Sequence, residues 1–230
     1  MSDNLNSDAQ SDVPDLIRQS WAKGSATDWF EQLYASAAEG KGRVPWAQMT
    51  PYADLVHWLD AQQIDGAGQT ALVVGCGLGD DAEELARRGF NVTAFDVSET
   101  AVQWAKERFP ETPVRYEVAD LLNPPEAWTH HFNFVLESRT IQALPYQLYQ
   151  DAVARIAGFA APGGRVLVLC HARNPEEHTR GIPWPLSTRE LAAFTENGLT
   201  EVALEDYYSN GLRRFRVEYQ RPADQTGSDH

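Results

Sequence analysis

The 230 residues suffice for one α/β domain with a substantial buried core, and 43% of them are hydrophobic, as in an ordinary globular chain. Against 19 basic side chains stand 33 acidic ones, a net charge of −14. That sign opposes sequence-independent binding to phosphate backbones and removes nucleic acid from the expected partners. No stretch approaches the roughly 18 apolar residues of a membrane span. The two cysteines, Cys76 and Cys170, stand in no metal-ligand spacing and make no disulfide framework, so no metal is expected.

Residues 1–13 are polar and acidic, without the basic start and apolar run of a signal peptide. They are expected to be a disordered tail, and the chain to be cytoplasmic. A second tail is expected at 222–230, leaving one domain over 14–221. Asp3, Asp8, Asp12, Asp15, Asp224 and Asp229 lie in or beside these ends; without them the net charge is about −8.

Helices are expected over 27–37 and 52–59, within an N-terminal cover of about 14–66. The apolar run 69–75 (QTALVVG) reads as a strand buried on both faces, followed by a helix over 81–88 that Gly89 stops. A strand over 91–96 leads to Ser98, a good N-cap for a helix that Pro110 closes. Strands follow at 114–119 and 132–136, then a helix beyond Pro145 and the strongest strand, 165–170 (RVLVLC). Ser187 and Glu190 have capping-box spacing, and 202–206 with 214–219 read as an antiparallel pair. Strand–helix alternation of this kind predicts a doubly wound, mostly parallel α/β sheet with helices on both faces.

The informative stretch is 72–79, LVVGCGLG, in which Gly75, Gly77 and Gly79 form G-x-G-x-G between strand and helix. Such a turn lets the backbone approach a ligand closely. A dinucleotide fingerprint would place its third glycine at position 80, where Asp80 stands and would oppose a pyrophosphate. Asp80 suits an ammonium group better. Its alternative role is a charge in the helix's first turn. Asp96, closing the second strand, can accept hydrogen bonds from ribose hydroxyls, and Asp120 follows the third strand.

With VVGCGLG, FDVSETAVQWAKERFP, VADLL, FNFVLESRTIQALP and PGGRVLVL in succession, residues 70–172 resemble the core of the class I S-adenosylmethionine (SAM)-dependent methyltransferases. The resemblance implies a Rossmann-like, seven-stranded sheet with its last strand antiparallel, binding of SAM and of its product S-adenosylhomocysteine, and methylation of a small molecule. It puts Trp29, Trp46, Gly75, Cys76, Gly77, Gly79, Asp80, Asp96, Val97, Asp120, Leu121 and Glu137 around SAM, with Asp120 near the adenine amino group. The Trp29-Phe30 pair, Val44-Pro45-Trp46, Glu137 and Pro183-Trp184-Pro185 resemble the branch that holds the thiopurine and thiol methyltransferases, which implies a thiol acceptor ahead of oxygen or nitrogen nucleophiles. The family's usual acidic residue two positions before the first glycine is Val73 here.

Ligands of open α/β sheets bind beyond the carboxyl ends of the strands. Glu137 and Arg139 after the fourth strand are therefore the expected catalytic pair. Glu137 would face the sulfonium or ammonium end of SAM, or take the acceptor's proton; its alternative is an ion pair with Arg139. Arg139 would bind an anionic acceptor or lower a thiol's pKa, and its alternative is an anchor for local structure. His171 and Arg173 follow the fifth strand, and His171 has a suitable pKa for a base. Trp46 and Trp184 are expected to wall the acceptor pocket. The other readings are an NAD(P)-binding Rossmann oxidoreductase and a SAM-binding module without catalysis.

Overall fold

The computed structural model describes residues 8–179 and 181–224. Its strands are Thr70–Val74 (β1), Asn91–Asp96 (β2), Arg115–Val118 (β3), Phe132–Ser138 (β4), Ala160–His171 (β5), Thr200–Ser209 (β6) and Leu212–Gln220 (β7). They form one seven-stranded sheet in the order β3-β2-β1-β4-β5-β7-β6. The strands from β3 to β5 pair in parallel. β7 runs antiparallel to both β5 and β6, so the terminal hairpin folds back and inserts its second strand into the sheet. The resulting architecture is the expected doubly wound, mostly parallel α/β sheet with an antiparallel strand near one edge.

The helices are Asp8–Ala22 (α1), Asp28–Ala38 (α2), Ala53–Ala61 (α3), Asp80–Arg87 (α4), Glu99–Arg108 (α5), Tyr149–Phe159 (α6) and Thr188–Glu196 (α7). Alternation along the strands divides the core between two faces. Ala71, Val73, Val92 and Ala94 pack with Leu55, Leu85 and Val102 of α3, α4 and α5. Leu72, Val74, Val135 and Val166 pack with Ile156 and Phe194 of α6 and α7. Ser98 caps α5 by accepting from the Ala101 amide at 3.0 Å, and Ser187 with Glu190 forms the expected capping box on α7.

One expectation is corrected. Residues 8–13 open α1 instead of belonging to a tail; residues 1–7 lie outside the described residues. Polar residues and Pro14 obscure α1 in the sequence, but Ile17 buries itself against Trp29 and Leu33 of α2. At the other end 222–224 carry no regular structure, and 225–230 are outside the described residues.

The cover is fastened to the core by Glu31 of α2. Its carboxylate accepts from Ser98 Oγ at 2.7 Å and from Thr100 N and Oγ1 at 3.1 and 2.5 Å. Partial burial works to raise this carboxyl, but the Ser98 and Thr100 bonds prevail and hold it below its ordinary value. Removing the side chain leaves those donors without their charged acceptor. Glu31→Ala should therefore destabilise the chain by about 1–3 kcal/mol, measured by denaturant unfolding.

Candidate functional site

β1 delivers the chain into a loop that turns through left-handed backbone at Gly75 (φ 61°), Gly77 (φ 52°) and Gly79 (φ 91°). Packing excludes larger residues at two of these positions. A Cβ at Gly75 would sit 2.5 Å from Thr140 Oγ1, and one at Gly79 would sit 2.3 Å from Tyr116 Oη. The loop's own amides are largely used within the protein. Cys76 N donates to the Phe95 carbonyl at 2.8 Å, Gly77 N to Asp96 Oδ2 at 2.9 Å, and Gly79 N to the Cys76 carbonyl at 3.0 Å. Asp96 also accepts from Ser98 N through Oδ1 at 3.0 Å, so one carboxylate joins the end of β2, the glycine loop and the start of α5. Burial raises its pKa, against the two amides that stabilise the charge.

Beyond the carboxyl ends of the strands lies a cavity of about 390 Å³. It brings together Trp29, Trp46, Gly75, Asp96, Val97, Asp120, Leu121 and Arg139 of the expected set, with Tyr34 and His171. Val13 and Pro14 of α1 help to roof it. A recess of about 100 Å³ adjoins it across Tyr34, Trp46, Gly75, Ser138 and Arg139, and adds Cys76, Gly77, Asp80 and Asp81. Gly79 and Glu137 line neither space.

The aromatic roof is closely packed. Trp29 stacks on Phe30 at 3.8 Å and meets Trp46 edge-on at 5.9 Å, while Trp46 Nε1 donates to Tyr34 Oη at 2.9 Å. Trp29 is 1% exposed, and its Nε1 is buried without a hydrogen-bond partner among the described residues. Trp184, expected in the acceptor wall, lines neither space. Its indole donates to the Leu144 carbonyl at 2.8 Å and packs on Tyr146 and Tyr149, leaving Ile182 and Pro183 to face the cavity.

The charged residues sort into paired and unpaired groups. Arg108 binds both oxygens of Asp80 at 2.7 Å, so the first-turn role is realised there. Arg173 is tied to backbone carbonyls and to Glu190, away from the cavity. Glu137 is fully buried beneath the site. Its Oε1 accepts from Ile141 N at 3.1 Å, its Oε2 has no partner among the described residues, and burial pushes its pKa up to about 7. The ion pair weighed between Glu137 and Arg139 does not form: among the described residues Arg139 pairs with no carboxylate. Its guanidinium instead lies 4.0 Å over the Tyr52 ring, from a left-handed backbone (φ 65°). His171 is half-buried. Desolvation, then Arg214 and Arg139, lower its pKa to about 4.

A model of the methyltransferase domain matches residues 71–164, the stretch from β1 into β5. The chain is 27% identical over 191 residues to the 2-heptyl-1-hydroxyquinolin-4(1H)-one methyltransferase of Mycobacteroides abscessus, covering 80% of this chain and 82% of that protein. These matches support a SAM-dependent methyltransferase, with its methyltransferase domain over residues 71–164. It is also 31% identical to the ubiquinone biosynthesis O-methyltransferase of Dechloromonas aromatica, over 58% of this chain and 59% of that one. Its fold resembles the 1,6-didemethyltoxoflavin-N1-methyltransferase of Burkholderia thailandensis, solved with its substrate and S-adenosylhomocysteine bound, at a TM-score of 0.67 and 18% identity over 96% and 93% of the two chains. The oxidoreductase reading falls away with these matches.

Two residues of this methyltransferase's site escaped the sequence. Asp81 Oδ1 accepts from Tyr52 N at 2.7 Å, and Asp81 lines the smaller recess with its pKa raised to about 6, chiefly by desolvation. Tyr52 precedes α3 and presents its ring to Arg139. Two adjacent acids open α4, and the sequence holds no signal for which is already paired. No helix among the described residues is long and apolar enough to cross a membrane, and no group of three or more His, Cys, Asp or Glu among them could hold a metal ion.

Glu137 gives the ligand-free protein a characteristic pH dependence. Its pKa rises from 4.5 to about 7 on folding, so the folded chain retains a proton that the unfolded chain releases between those values. This contribution to stability is present at low pH and fades as pH rises through 7. Glu137→Gln cannot ionise and should flatten that decline. Unfolding at about pH 5 and about pH 8 should show the variant gaining on the wild type at the higher pH, by an amount on the order of a few kcal/mol.

Proposed function

We propose that the protein transfers the methyl group of SAM to a small, partly apolar acceptor that reacts through a thiol or an acidic hydroxyl. The observation that carries this reading is the aromatic-roofed cavity itself, lined by Asp96, Asp120 and a neutral imidazole, His171. The arrangement fits a nucleoside sulfonium. Asp96 takes the Gly77 amide through Oδ2 and the Ser98 amide through Oδ1, and its remaining lone pairs leave acceptor capacity for ribose hydroxyls. Asp120 Oδ1 holds the Leu122 amide at 2.9 Å, and its remaining capacity suits an amino group such as adenine's. Trp29 and Trp46 supply aromatic faces for a cation.

SAM supplies an already activated methyl group, so the protein must mainly align the nucleophile with it and exclude water. Trp46, Phe30, Ile182 and Pro183 provide the apolar wall for the acceptor. His171, kept neutral by burial and by two arginines, can take the acceptor's proton. Glu137 acts below the site as a positioning residue, fixing the turn after β4 through Ile141 N. Relatives support both acceptor atoms: the Mycobacteroides abscessus relative acts on a hydroxyquinolone, and a probable thiol methyltransferase of Arabidopsis thaliana is 23% identical over 72% of this chain and 76% of that protein.

Calorimetry should find binding of SAM and S-adenosylhomocysteine and none of NADH; tight NADH binding without a response to SAM would reject the reading. Asp96→Ala should weaken SAM by about 1.5–3 kcal/mol, roughly tenfold or more, with the fold retained by circular dichroism.

A panel of small thiols, phenols and amines separates the acceptor classes; turnover of amines alone would overturn the nucleophile assignment. His171→Ala should lower turnover of hydroxyl acceptors about a hundredfold while leaving S-adenosylhomocysteine affinity unchanged. Since the His171 pKa is lowered to about 4, the wild-type acid limb should lie near that pH and not near 6.5.

A further inference from the structure

His171 stands where β5 outruns its neighbour. The last register between β4 and β5 pairs Ser138 with Leu169, and Arg139 N donates to the Leu169 carbonyl at 3.0 Å. Arg139 then turns the chain away through left-handed backbone (φ 65°). β5 continues to His171, whose N–H and C=O face the same side as those of Leu169 and find no β4 residue opposite them. Such groups need partners from elsewhere.

The side chain of Gln142 fills this place. Gln142 is fully buried in the short helical turn Ile141–Ala143, which Glu137 fixes through Ile141 N. His171 N donates to Gln142 Oε1 at 2.8 Å, and Gln142 Nε2 donates back to the His171 carbonyl at 3.1 Å. The side-chain amide thus makes the pair of bonds that a neighbouring peptide group would make. Its Nε2 also donates to the Trp184 carbonyl at 2.7 Å, and Trp184 N returns a bond to the Gln142 carbonyl at 3.0 Å. Leu186 N reaches the His171 carbonyl as well, at 2.9 Å. One donor and two acceptors therefore surround the side chain. An amide matches that set; an ionised carboxylate or an apolar chain of the same length does not.

Three segments of the cavity wall meet at this amide. His171 lines the cavity, Ala143 follows Gln142 into its wall, and Ile182 and Pro183 enter the wall just before Trp184. Gln142 itself lines neither space, so its effect on an acceptor must pass through its neighbours. We propose that Gln142 is a positioning residue for methyl transfer, holding the end of β5 so that the His171 imidazole meets the acceptor. The assignment deepens the reading of His171 as base and rests on it. In the step it serves, the acceptor oxygen bonds to the methyl carbon of SAM, the C–S electron pair returns to sulfur to leave S-adenosylhomocysteine, and the acceptor's proton passes to the imidazole. A base must stand within hydrogen-bond reach of that proton, so a small shift of the strand end lowers the rate.

The test is a double-mutant cycle on a hydroxyl acceptor that the panel above identifies. S-adenosylhomocysteine affinity by calorimetry and thermal melting serve as checks. Gln142→Met keeps the length of the side chain and removes its three bonds. It should lower kcat roughly ten- to a hundredfold and bind S-adenosylhomocysteine as the wild type does. Gln142→Glu, which keeps an oxygen for His171 N, should fall between wild type and Gln142→Met, and it carries the same cycle if Gln142→Met does not fold. Added to His171→Ala, the Gln142 substitution should cost no more than about twofold further, because the amide acts through the imidazole. Losses that multiply in the double variant would overturn the proposal, since Gln142 would then serve the wall or the fold alone. Wild-type turnover by Gln142→Met would overturn it as well. If His171→Ala left hydroxyl turnover unchanged, or no hydroxyl acceptor reacted, the base reading and the positioning role would fall together, while binding of S-adenosylhomocysteine would still uphold the SAM reading.

Discussion

The site depends on one buried carboxylate. Asp96 is 6% exposed, yet it takes hydrogen bonds from the amides of both Gly77 and Ser98. Those two bonds offset part of the cost of placing a charge inside the protein and fix the glycine loop against the end of β2. The rest of the frame follows from this post. Ser98, positioned by Asp96, caps α5 and donates to Glu31, and Glu31 draws α2 down onto the core. Because α2 carries Trp29 and Tyr34, the roof of the cavity is tied to its floor through a short run of hydrogen bonds.

Around that frame the charges divide by task. Asp80–Arg108 and Arg173–Glu190 are mostly buried pairs whose partners satisfy one another, and they hold helix ends and a loop in place. Arg139 and Asp81, both half-buried, line the same recess without such closure. An incompletely paired charge away from bulk water is unfavourable, so it persists where the surrounding structure fixes it. Tyr52 does so for both. His171 shows the complementary effect: two nearby guanidiniums and burial keep the imidazole neutral, so it carries no positive charge into a cavity that fits a sulfonium.

Legibility in the sequence followed the range of the interactions. The β2 boundaries match expectation because Asn91 and Asp96 bracket a short buried run, 92–95. The Ser98 cap and the Ser187–Glu190 box were readable because a cap is settled within three residues of chain. α1 was missed because its packing partner is another helix of the cover and not its own periodicity. Trp184 was ambiguous for a related reason. Its flanking prolines suggested a rigid loop that walls the acceptor pocket or packs on the neighbouring helix, and the packing role is the one realised, in a buried slot formed by Tyr146, Tyr149 and the Leu144 carbonyl. Glu137 was correctly located at the end of β4 but not beneath the cavity floor, since one residue along a strand reverses the facing of the side chain.

The sequence by itself determined the parallel sheet, the glycine turn, Asp96 at the end of β2 and the methyltransferase family. Apolar runs, capping residues and left-handed backbone are local properties that each segment carries with it. The tertiary structure alone decided which charges remain unpaired. Asp80 and Asp81 are neighbours of the same type, and only the approach of Arg108 from α5 and of the Tyr52 amide from the start of α3 distinguishes them. Arg139 likewise acquired its direction from the ring of Tyr52, distant in the chain. Pairing is a matter of position in space, set when separate elements pack, and no spacing within one segment encodes it.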